Sequence, residues 1–271
     1  MLNHNEMAVI AKNIRRNIIK QVYNAKSGHI GGALSGVEIL TSLYFNEMNL
    51  TQDNVEDLER DKFVLSKGHA SALLYAVLKE KGFLTQDDLM TFRLINSKLQ
   101  GHPNMNYVKG VDMSTGSLGQ GLSAAVGMAL SNKIHQNDFR TYTLIGDGES
   151  QEGMIWEAAM SAAHYKLDNL CAVLDVNGLQ IDGDVTKVMN PFPFKEKFEA
   201  FNWHVIEIDG HDYDQIQAAF KEARNTKDKP TMILAKTVKG KGVSFMENNY
   251  AWHGVAPTPE EEAAALKELE D

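Results

Sequence analysis

Cysteine is nearly absent from this chain of 271 residues, which contains only Cys171. A single cysteine excludes a disulfide framework within the chain and a metal site built from several thiolates. Because Cys171 lies inside an apolar run, we interpret it as a buried strand residue. The polar start, MLNHNEM, does not have the pattern of a secretory signal, and we expect the protein in a reducing cytoplasm.

Long apolar runs and excess positive charge are also missing. No stretch of ~18 apolar residues occurs, so the sequence predicts no membrane-spanning helix. The formal net charge of -9 at pH 7 argues against a nucleic-acid partner, because no global positive field exists to collect phosphates. Any phosphate site must therefore be local. The hydrophobic content of 43% is sufficient for a substantial core.

The chain also lacks repeats, low-complexity tracts and Pro/Ser-rich linkers, so we predict a single domain over residues 1–271. Strand-like runs, separated by helical or loop segments, occur at 63–66, 141–145, 170–175, 204–208 and 231–237. Helical patterns cover about 6–24, 36–46, 70–81, 120–135, 151–164 and 212–225, and capping boxes begin at Thr85 and Thr258. This alternation predicts an α/β fold with an open, mostly parallel sheet flanked by helices.

An acidic glycine turn follows the strand predicted at 141–145. Gly146-Asp147-Gly148 precedes a helical segment, and a strand–turn–helix unit directs backbone N–H groups at an anion. Because the Asp147 carboxylate would repel a diphosphate, a divalent cation between them is required. The next apolar run ends at Asn177, one strand–helix–strand crossover later, so both strand ends can share one ion. Mg²⁺ suits such oxygen ligands.

A dinucleotide site of the Rossmann type is excluded by the glycine spacing. The glycines after the 141–145 strand do not form G-x-G-x-x-G. A second glycine-rich turn, GSLGQG at 116–121, also has the wrong spacing.

Several longer motifs accompany the acidic turn: GDGESQEG at 146–153, WEA at 156–158, LDNL at 167–170, DVNG at 175–178 and IDG at 181–183. Together they resemble the transketolase family over nearly the whole chain. The resemblance implies thiamine diphosphate as cofactor, bound through Mg²⁺, with Ca²⁺ or Mn²⁺ as possible substitutes. It assigns the cation to Asp147, Asn177 and Leu179.

Four of the nine histidines lie in short glycine-marked segments that match the transketolase pattern: His29, His69, His102 and His253. The resemblance implies that three of them, His29, His102 and His253, face the first carbons of a ketose donor. It also places His69 and His253 near the diphosphate. Imidazoles can donate to an oxygen that develops negative charge and can exchange protons near neutral pH. Surface or packing roles are predicted for the others: His4, His135, His164, His204 and His211.

The resemblance assigns further contacts around the cofactor. Gly116 would allow a close approach and Leu118 would pack on the thiazolium ring. The full cofactor-binding set is His69, Gly116, Ser117, Leu118, Gly146, Asp147, Gly148, Glu152, Asn177, Leu179 and His253. Catalytic roles are assigned to His29, His69, His102, His253 and Glu152.

Four charged residues have two interpretations each. Glu152 matches a family glutamate that reaches across a subunit boundary, which makes it a proton-relay or interface residue; alternatively, it is a carboxylate in the first turn of a helix. Lys236, Lys239 and Lys241 form a basic cluster that either screens the diphosphate or is simply solvated.

The resemblance covers only the diphosphate-binding part of a full-length transketolase. The pyrimidine-binding and C-terminal domains, with the glutamate that activates the cofactor, are expected on a separate C-terminal subunit, in an α2β2 heterotetramer. The expected reaction transfers a two-carbon glycolaldehyde unit from a ketose phosphate to an aldose phosphate. No nucleic acid or membrane partner is expected.

Four alternatives stay open at this point. A non-standard ketose donor is compatible with the same motifs. The α subunit of a 2-oxo acid dehydrogenase and a deoxyxylulose-phosphate synthase share the cofactor, but the four histidines and the IDG segment weigh against both. A non-catalytic thiamine diphosphate-binding protein would have no use for His29 and His102.

Overall fold

The computed structural model describes residues 1–270 and contains a five-stranded parallel sheet. The strands are, in chain order, β1 (Lys62–Leu65), β2 (Thr141–Gly146), β3 (Leu170–Val176), β4 (Leu179–Gln180), β5 (Gly183–Asp184), β6 (His204–Asp209) and β7 (Thr231–Lys236). The large sheet has the order β1-β2-β3-β7-β6, and β4 and β5 form a small antiparallel hairpin. The predicted α/β fold and all five predicted strands are confirmed.

The helices are α1 (His4–Ala25), α2 (Ile30–Ser35), α3 (Val37–Ser42), α4 (Ser71–Glu80), α5 (Gln86–Leu89), α6 (Gln120–Ile134), α7 (Gly153–His164), α8 (Val185–Met189), α9 (Phe194–Ala200), α10 (Tyr213–Asn225) and α11 (Pro259–Glu268). A π-helical turn, Leu43–Glu47, follows α3, and 3₁₀ turns occupy Gly68–Ala70, Gly148–Gln151 and Tyr250–Trp252. Capping boxes begin α5 at Thr85 and α11 at Thr258, as predicted. The helix predicted from residue 151 begins at Gly153, because the 3₁₀ turn precedes it.

The central strand β3 is buried on both faces, which explains its continuous apolar sequence. Successive side chains of a strand point to opposite faces of the sheet. Cys171 and Val173 therefore join the core beneath α1, α4 and α10, whereas Ala172 and Leu174 join the core beneath α6, α7 and α9. Cys171 is fully buried and free, as predicted for a strand residue.

The parallel register brings several chain segments to one edge of the sheet. Gly146 at the end of β2 is paired with Asp175 in β3, and Val176 in β3 is paired with Lys236 in β7. The segments that follow β1, β2, β3 and β7 therefore emerge side by side, at the carboxyl edge where open α/β sheets bind ligands. No helix within residues 1–270 is long and apolar enough to cross a bilayer.

Candidate active site

Asp147 joins the ends of β2 and β3 through its side chain. Its carboxylate accepts hydrogen bonds from the backbone N–H groups of Gly148 at 2.7 Å and Gly178 at 2.5 Å. The residue is only 2% exposed. Burial, and next the negative charge of Asp175, raise the pKa of Asp147 to about 6. The predicted meeting of the two strand ends is thus observed, and it produces a buried carboxylate whose charge lacks full compensation.

The oxygen atoms around Asp147 suit a hard divalent cation. Asn177 lies at the adjacent strand end, where its Oδ1 accepts a hydrogen bond from the N–H of Leu179 at 3.1 Å. Leu179 can offer only its backbone carbonyl as an oxygen ligand. Within residues 1–270 no group of three or more His, Cys, Asp or Glu residues could hold a metal ion. A cation here would therefore need amide, carbonyl and ligand oxygens besides the one carboxylate, which is a donor set that Mg²⁺ accepts.

The IDG segment forms the turn of the β4–β5 hairpin, which packs on the acidic turn. A Cβ atom at Gly148 would lie 3.2 Å from the Cβ of Gln180, closer than most such contacts. Gln180 Oε1 also accepts a hydrogen bond from Gln151 Nε2 at 2.6 Å. Glycine at 148 therefore lets the hairpin close over the strand end. The short hairpin was not predicted from the sequence, since each of its strands has only two residues.

Three of the four predicted histidines form one cluster. The ring centroids of His29 and His69 are 5.1 Å apart, those of His29 and His253 are 5.3 Å apart, and those of His69 and His253 are 5.5 Å apart. Burial, and next the positive charge of Arg93, lower the pKa of His29 to about 4. Burial, and next Lys239, lower the pKa of His253 to about 3. Burial lowers the pKa of His69 as well. All three imidazoles are therefore neutral at neutral pH.

His102 lies beside the glycine-rich turn at 116–121. A Cβ atom at Gly116 would be 3.2 Å from the His102 ring, and the φ of Gly116 is +151°, which only glycine adopts readily. The positive charge of His102 would also lower the pKa of His29, so the two rings are within electrostatic range. In the same turn Ser117 is exposed and Leu118 is half-buried.

Glu152 lies apart from the histidine cluster. It is the exposed N-cap residue of α7, and its Cβ would be 2.9 Å from a Cβ atom at Gly119. Its carboxylate has no hydrogen-bond partner within residues 1–270. This position is compatible with both interpretations of Glu152, because an exposed carboxylate at a helix N-terminus is favourable and is also available to a partner.

The three predicted lysines differ sharply in their surroundings. Lys236 is exposed, and Lys241 is half-buried beside Glu247 at 3.4 Å. Lys239 is only 2% exposed, and its Nζ lies 3.0 Å from Nδ1 of His253. Burial, and next the charge of Lys67, lower the pKa of Lys239 to about 8. Only Lys239 of this group belongs to the site.

Sequence reasoning missed a buried ion pair at the sheet edge. Lys67 is 2% exposed and Asp175 is fully buried, and Lys67 Nζ donates to the Asp175 carboxylate and to the carbonyl of Gly32 at 2.7 Å. Asp175 also accepts hydrogen bonds from Ser35, at 2.6 Å, and Thr237. Although burial opposes ionisation, Lys67 and these hydroxyls hold the pKa of Asp175 below its usual value. The available signal was a carboxylate at the end of an otherwise apolar strand.

Glu149 is a second residue that sequence reasoning missed. It is 3% exposed and accepts hydrogen bonds from Ser66 Oγ and from the backbone N–H groups of Gly119 and Gly146. Despite these partners, burial raises its pKa. The acidic residue inside the GDGES motif was visible, but its position gave no indication that it is buried.

Comparison with known proteins places the chain in a family. The family model of the transketolase thiamine diphosphate binding domain matches residues 6–269. One of the subunits of the apulose-4-phosphate transketolase of Phocaeicola vulgatus is 43% identical over 95% of this chain and 91% of that protein. The 6-deoxy-6-sulfo-D-fructose transketolase subunit SqwG of a Clostridium species is 46% identical over 95% of this chain and 94% of that protein.

Solved structures agree with this placement. The transketolase of Campylobacter jejuni superposes with a TM-score of 0.93 at 36% identity, over 99% of this chain and 43% of that one. Human transketolase is 42% identical over 94% of this chain and 40% of its own length. The chain thus spans less than half of these transketolases but nearly all of the two subunits. The predicted resemblance is confirmed, and the chain belongs to the transketolase family, whose thiamine diphosphate-binding domain it matches.

Proposed function

We propose that this chain is the cofactor-binding subunit of a two-chain transketolase, which transfers a two-carbon glycolaldehyde unit from a ketose to an aldose with thiamine diphosphate and Mg²⁺. The observation that carries the proposal is the presence, at one sheet edge, of an oxygen donor set that includes the buried Asp147 carboxylate, together with a cluster of neutral histidines. A cation site alone would suit a binding protein, and histidines alone would suit many enzymes. Their combination supports transfer chemistry on a bound diphosphate cofactor.

The acidic strand ends would hold the cation and the diphosphate. Asp147, Asn177 and the carbonyl of Leu179 supply hard oxygen ligands, and the raised pKa of Asp147 indicates a carboxylate that a cation would stabilise. Gly116 has no side chain, so the His102 ring lies close to the backbone of this turn, and a ligand beside His102 would contact that backbone. When bound, the cofactor supplies the nucleophilic carbon and the electron sink for cleavage of a carbon–carbon bond.

The histidines would orient the sugar and move protons. Because His29, His69 and His253 are neutral, each ring has one N–H donor and one acceptor nitrogen. Such a donor stabilises a substrate oxygen as negative charge develops on it. His102, which is exposed beside Gly116, would also contact the donor.

A second chain would complete the enzyme. The relatives matched over nearly their full length are named as subunits, which supports a partner that carries the pyrimidine-binding and C-terminal domains. On this proposal residues 1–271 are one domain, the assembly is an α2β2 heterotetramer and Glu152 lies at the interface between subunits. A reducing cytoplasm stays the expected location.

The donor is proposed to be a ketose outside the common sugar phosphates. Both subunit relatives are named for unusual sugars, apulose 4-phosphate and 6-deoxy-6-sulfo-D-fructose. An aldose, or its phosphate, would accept the two-carbon unit.

The test is a reconstitution of the chain with the transketolase C-terminal subunit from its own source, with thiamine diphosphate and Mg²⁺. Four donors labelled with ¹³C at the first two carbons would be supplied: xylulose 5-phosphate, fructose 6-phosphate, apulose 4-phosphate and 6-deoxy-6-sulfo-D-fructose. We expect the label in a new ketose with apulose 4-phosphate or 6-deoxy-6-sulfo-D-fructose, and no turnover with either chain alone. Cofactor binding by the pair without transfer from any donor would favour the non-catalytic alternative.

A matched pair of variants tests the cation site within the same assembly. Asp147→Ala should abolish the Mg²⁺ dependence of thiamine diphosphate binding, measured by calorimetry. Asp182→Asn, in the exposed turn of the nearby hairpin, should leave that dependence unchanged. Retention of Mg²⁺-dependent affinity in Asp147→Ala would contradict the proposed coordination.

A further inference from the structure

In both His29 and His253 the ring atom Nδ1 faces a cationic side chain. Nζ of Lys239 lies 3.0 Å from Nδ1 of His253, and Nη2 of Arg93 lies 3.4 Å from Nδ1 of His29. The two imidazoles contact each other edge to face, with an interplanar angle of 89°. Ammonium and guanidinium groups have donors and no acceptor, so Nδ1 must accept in both cases.

We propose that Lys239 and Arg93 are positioning residues that fix His253 and His29 in one tautomer, with Nδ1 as acceptor and the proton on Nε2. A neutral imidazole has one proton on its two nitrogens, and the partner of one nitrogen decides where that proton lies. The low pKa values of His29 and His253 keep both rings neutral. The tautomer therefore decides which nitrogen of each ring donates a hydrogen bond.

Lys239 is held in place from its N-terminal side by hydrogen bonds between polar groups. The backbone N–H of Val238 donates to Nε2 of His211 at 2.9 Å. Nδ1 of His211 then donates to the carboxylate of Glu38, also at 2.9 Å. Glu38 is 8% exposed, and although burial opposes ionisation, His211 and Arg15 keep its pKa below the usual value. Glu38 is therefore ionised and can only accept hydrogen bonds. His211 therefore has the opposite tautomer, with its proton on Nδ1.

The C-terminal side of Lys239 is fixed as well. Arg15 donates to the carbonyl of Lys241 at 2.9 Å, and it is anchored by an ion pair with Glu38. The N–H of Gly240 donates to the carbonyl of Gly31 at 3.0 Å. A Cβ atom at Gly31 would lie 3.0 Å from Cγ of Lys239, so glycine at 31 leaves room for the lysine stem. These contacts fix the backbone around Lys239, so that its ammonium group lies beside Nδ1 of His253.

Arg93 is oriented by a comparable set of contacts. Its Nη1 donates to the hydroxyl of Ser27 at 2.9 Å, and its backbone N–H donates to the carbonyl of Leu99 at 2.8 Å. A Cβ atom at Gly101 would lie 2.7 Å from Cζ of Arg93, so glycine at 101 leaves room for the guanidinium in its observed position. Ser27 is two residues before His29, which ties Arg93 to the segment that carries the histidine.

The tautomer determines what the two rings can do. With Nδ1 occupied, both histidines can donate only through Nε2, so that their donors are available to a substrate oxygen that develops negative charge. This use rests on the proposed transfer reaction. The tautomers themselves do not, because they can be measured without cofactor, partner or turnover.

Ring ¹⁵N NMR of the full chain, labelled only in histidine and kept at neutral pH, tests the proposal. Signals are assigned with His29→Gln, His253→Gln and His211→Gln. We expect His29 and His253 to show a protonated Nε2 and an unprotonated Nδ1, and His211 to show the reverse in the same spectrum. A proton on Nδ1 of His29 or His253, or a fast average of both tautomers, would overturn the proposal.

Variants separate tautomer control from simple packing. Lys239→Met should give His253 a mixture of tautomers while His29 keeps its pattern, and Lys239→Arg should restore the wild-type pattern. Lys236→Met, in the exposed neighbour, should change neither ring. An unchanged His253 signal in folded Lys239→Met would overturn the role of Lys239.

If Lys239→Met does not fold, the wild-type and Lys239→Arg spectra still decide the question. In the reconstituted enzyme, Lys239→Met with altered tautomers should reduce kcat more than it raises KM.

Discussion

The carboxylate of Glu149 accepts a hydrogen bond from the backbone N–H of Gly119 at 3.0 Å. The same carboxylate accepts from Ser66 Oγ at 2.5 Å and from the N–H of Gly146 at 3.0 Å. One buried side chain thus joins the segments after β1, before α6 and at the end of β2. These segments carry the predicted histidine, cofactor and cation residues, so Glu149 fixes their relative positions.

Glu149→Ala should therefore lower the free energy of unfolding, by roughly 2–4 kcal/mol, because it leaves three donors, two of them buried, without this acceptor. Glu149→Gln keeps an acceptor oxygen of similar shape and should cost less. Urea unfolding of the chain followed by circular dichroism gives both values. Glu157→Gln, on the exposed face of α7, is the control and should change stability little. Equal losses for Ala and Gln at 149 would contradict this explanation.

Lys67→Met should destabilise the chain by about 3–5 kcal/mol, because it leaves the Asp175 carboxylate buried without its ion-pair partner. Adding Asp175→Asn to this variant should recover part of the loss, since it removes the uncompensated charge. The exposed pair of Lys195 and Glu207, at 3.0 Å, provides the control, and Lys195→Met should change stability little. The measurement is again urea unfolding. A double variant no more stable than Lys67→Met would refute the ion-pair interpretation.

Acid should destabilise the chain partly through His29 and His253. Their pKa values in the folded state, about 4 and about 3, lie below the ordinary value of 6.5. As pH falls below 6.5, the unfolded chain binds protons that the folded chain does not, so the stability from these rings is present above 6.5 and is lost on acidification. Denaturation midpoints between pH 8 and pH 4 should decline less steeply in His253→Gln than in wild type. Exposed His164→Gln should keep the wild-type slope, and an identical slope in His253→Gln would argue against the depressed pKa.

Two glycines of α6 should respond oppositely to the same substitution. A Cβ atom at Gly121 would lie 2.5 Å from Cα of Ser66, whereas nothing lies within 4 Å of one at exposed Gly127. Gly127→Ala should stabilise the chain by about 0.5–1 kcal/mol through helix propensity. Gly121→Ala should destabilise it by roughly 1–3 kcal/mol, because backbone must move. Thermal unfolding of both variants checks this, and a stabilised Gly121→Ala would disprove the close packing of α6 on the Ser66 segment.

The sequence did not predict the shortest helices or the burial of particular charged residues. The helices α2, α8 and α9 were not predicted, because five to seven residues cannot display a clear helical period. Asp175 and Glu149 stand in motifs that were recognised, and Lys67 lies two residues before His69, yet the burial of all three depends on which segments pack over them. Lys236, Lys239 and Lys241 looked alike in the sequence, and only Lys239 is covered by the turn that carries His253.

The sequence by itself determined the parallel α/β fold, because the strand-like runs of β1, β2, β3, β6 and β7 alternate with helical patterns. It also indicated that the ends of β2 and β3 would meet, since one crossover separates Asp147 from Asn177. Only the tertiary structure decided which nitrogen of His29 and His253 accepts a hydrogen bond and which carboxylates are buried. Hydrogen-bond partners and burial depend on contacts between segments that are distant in sequence, and a local pattern of residues cannot predict those contacts.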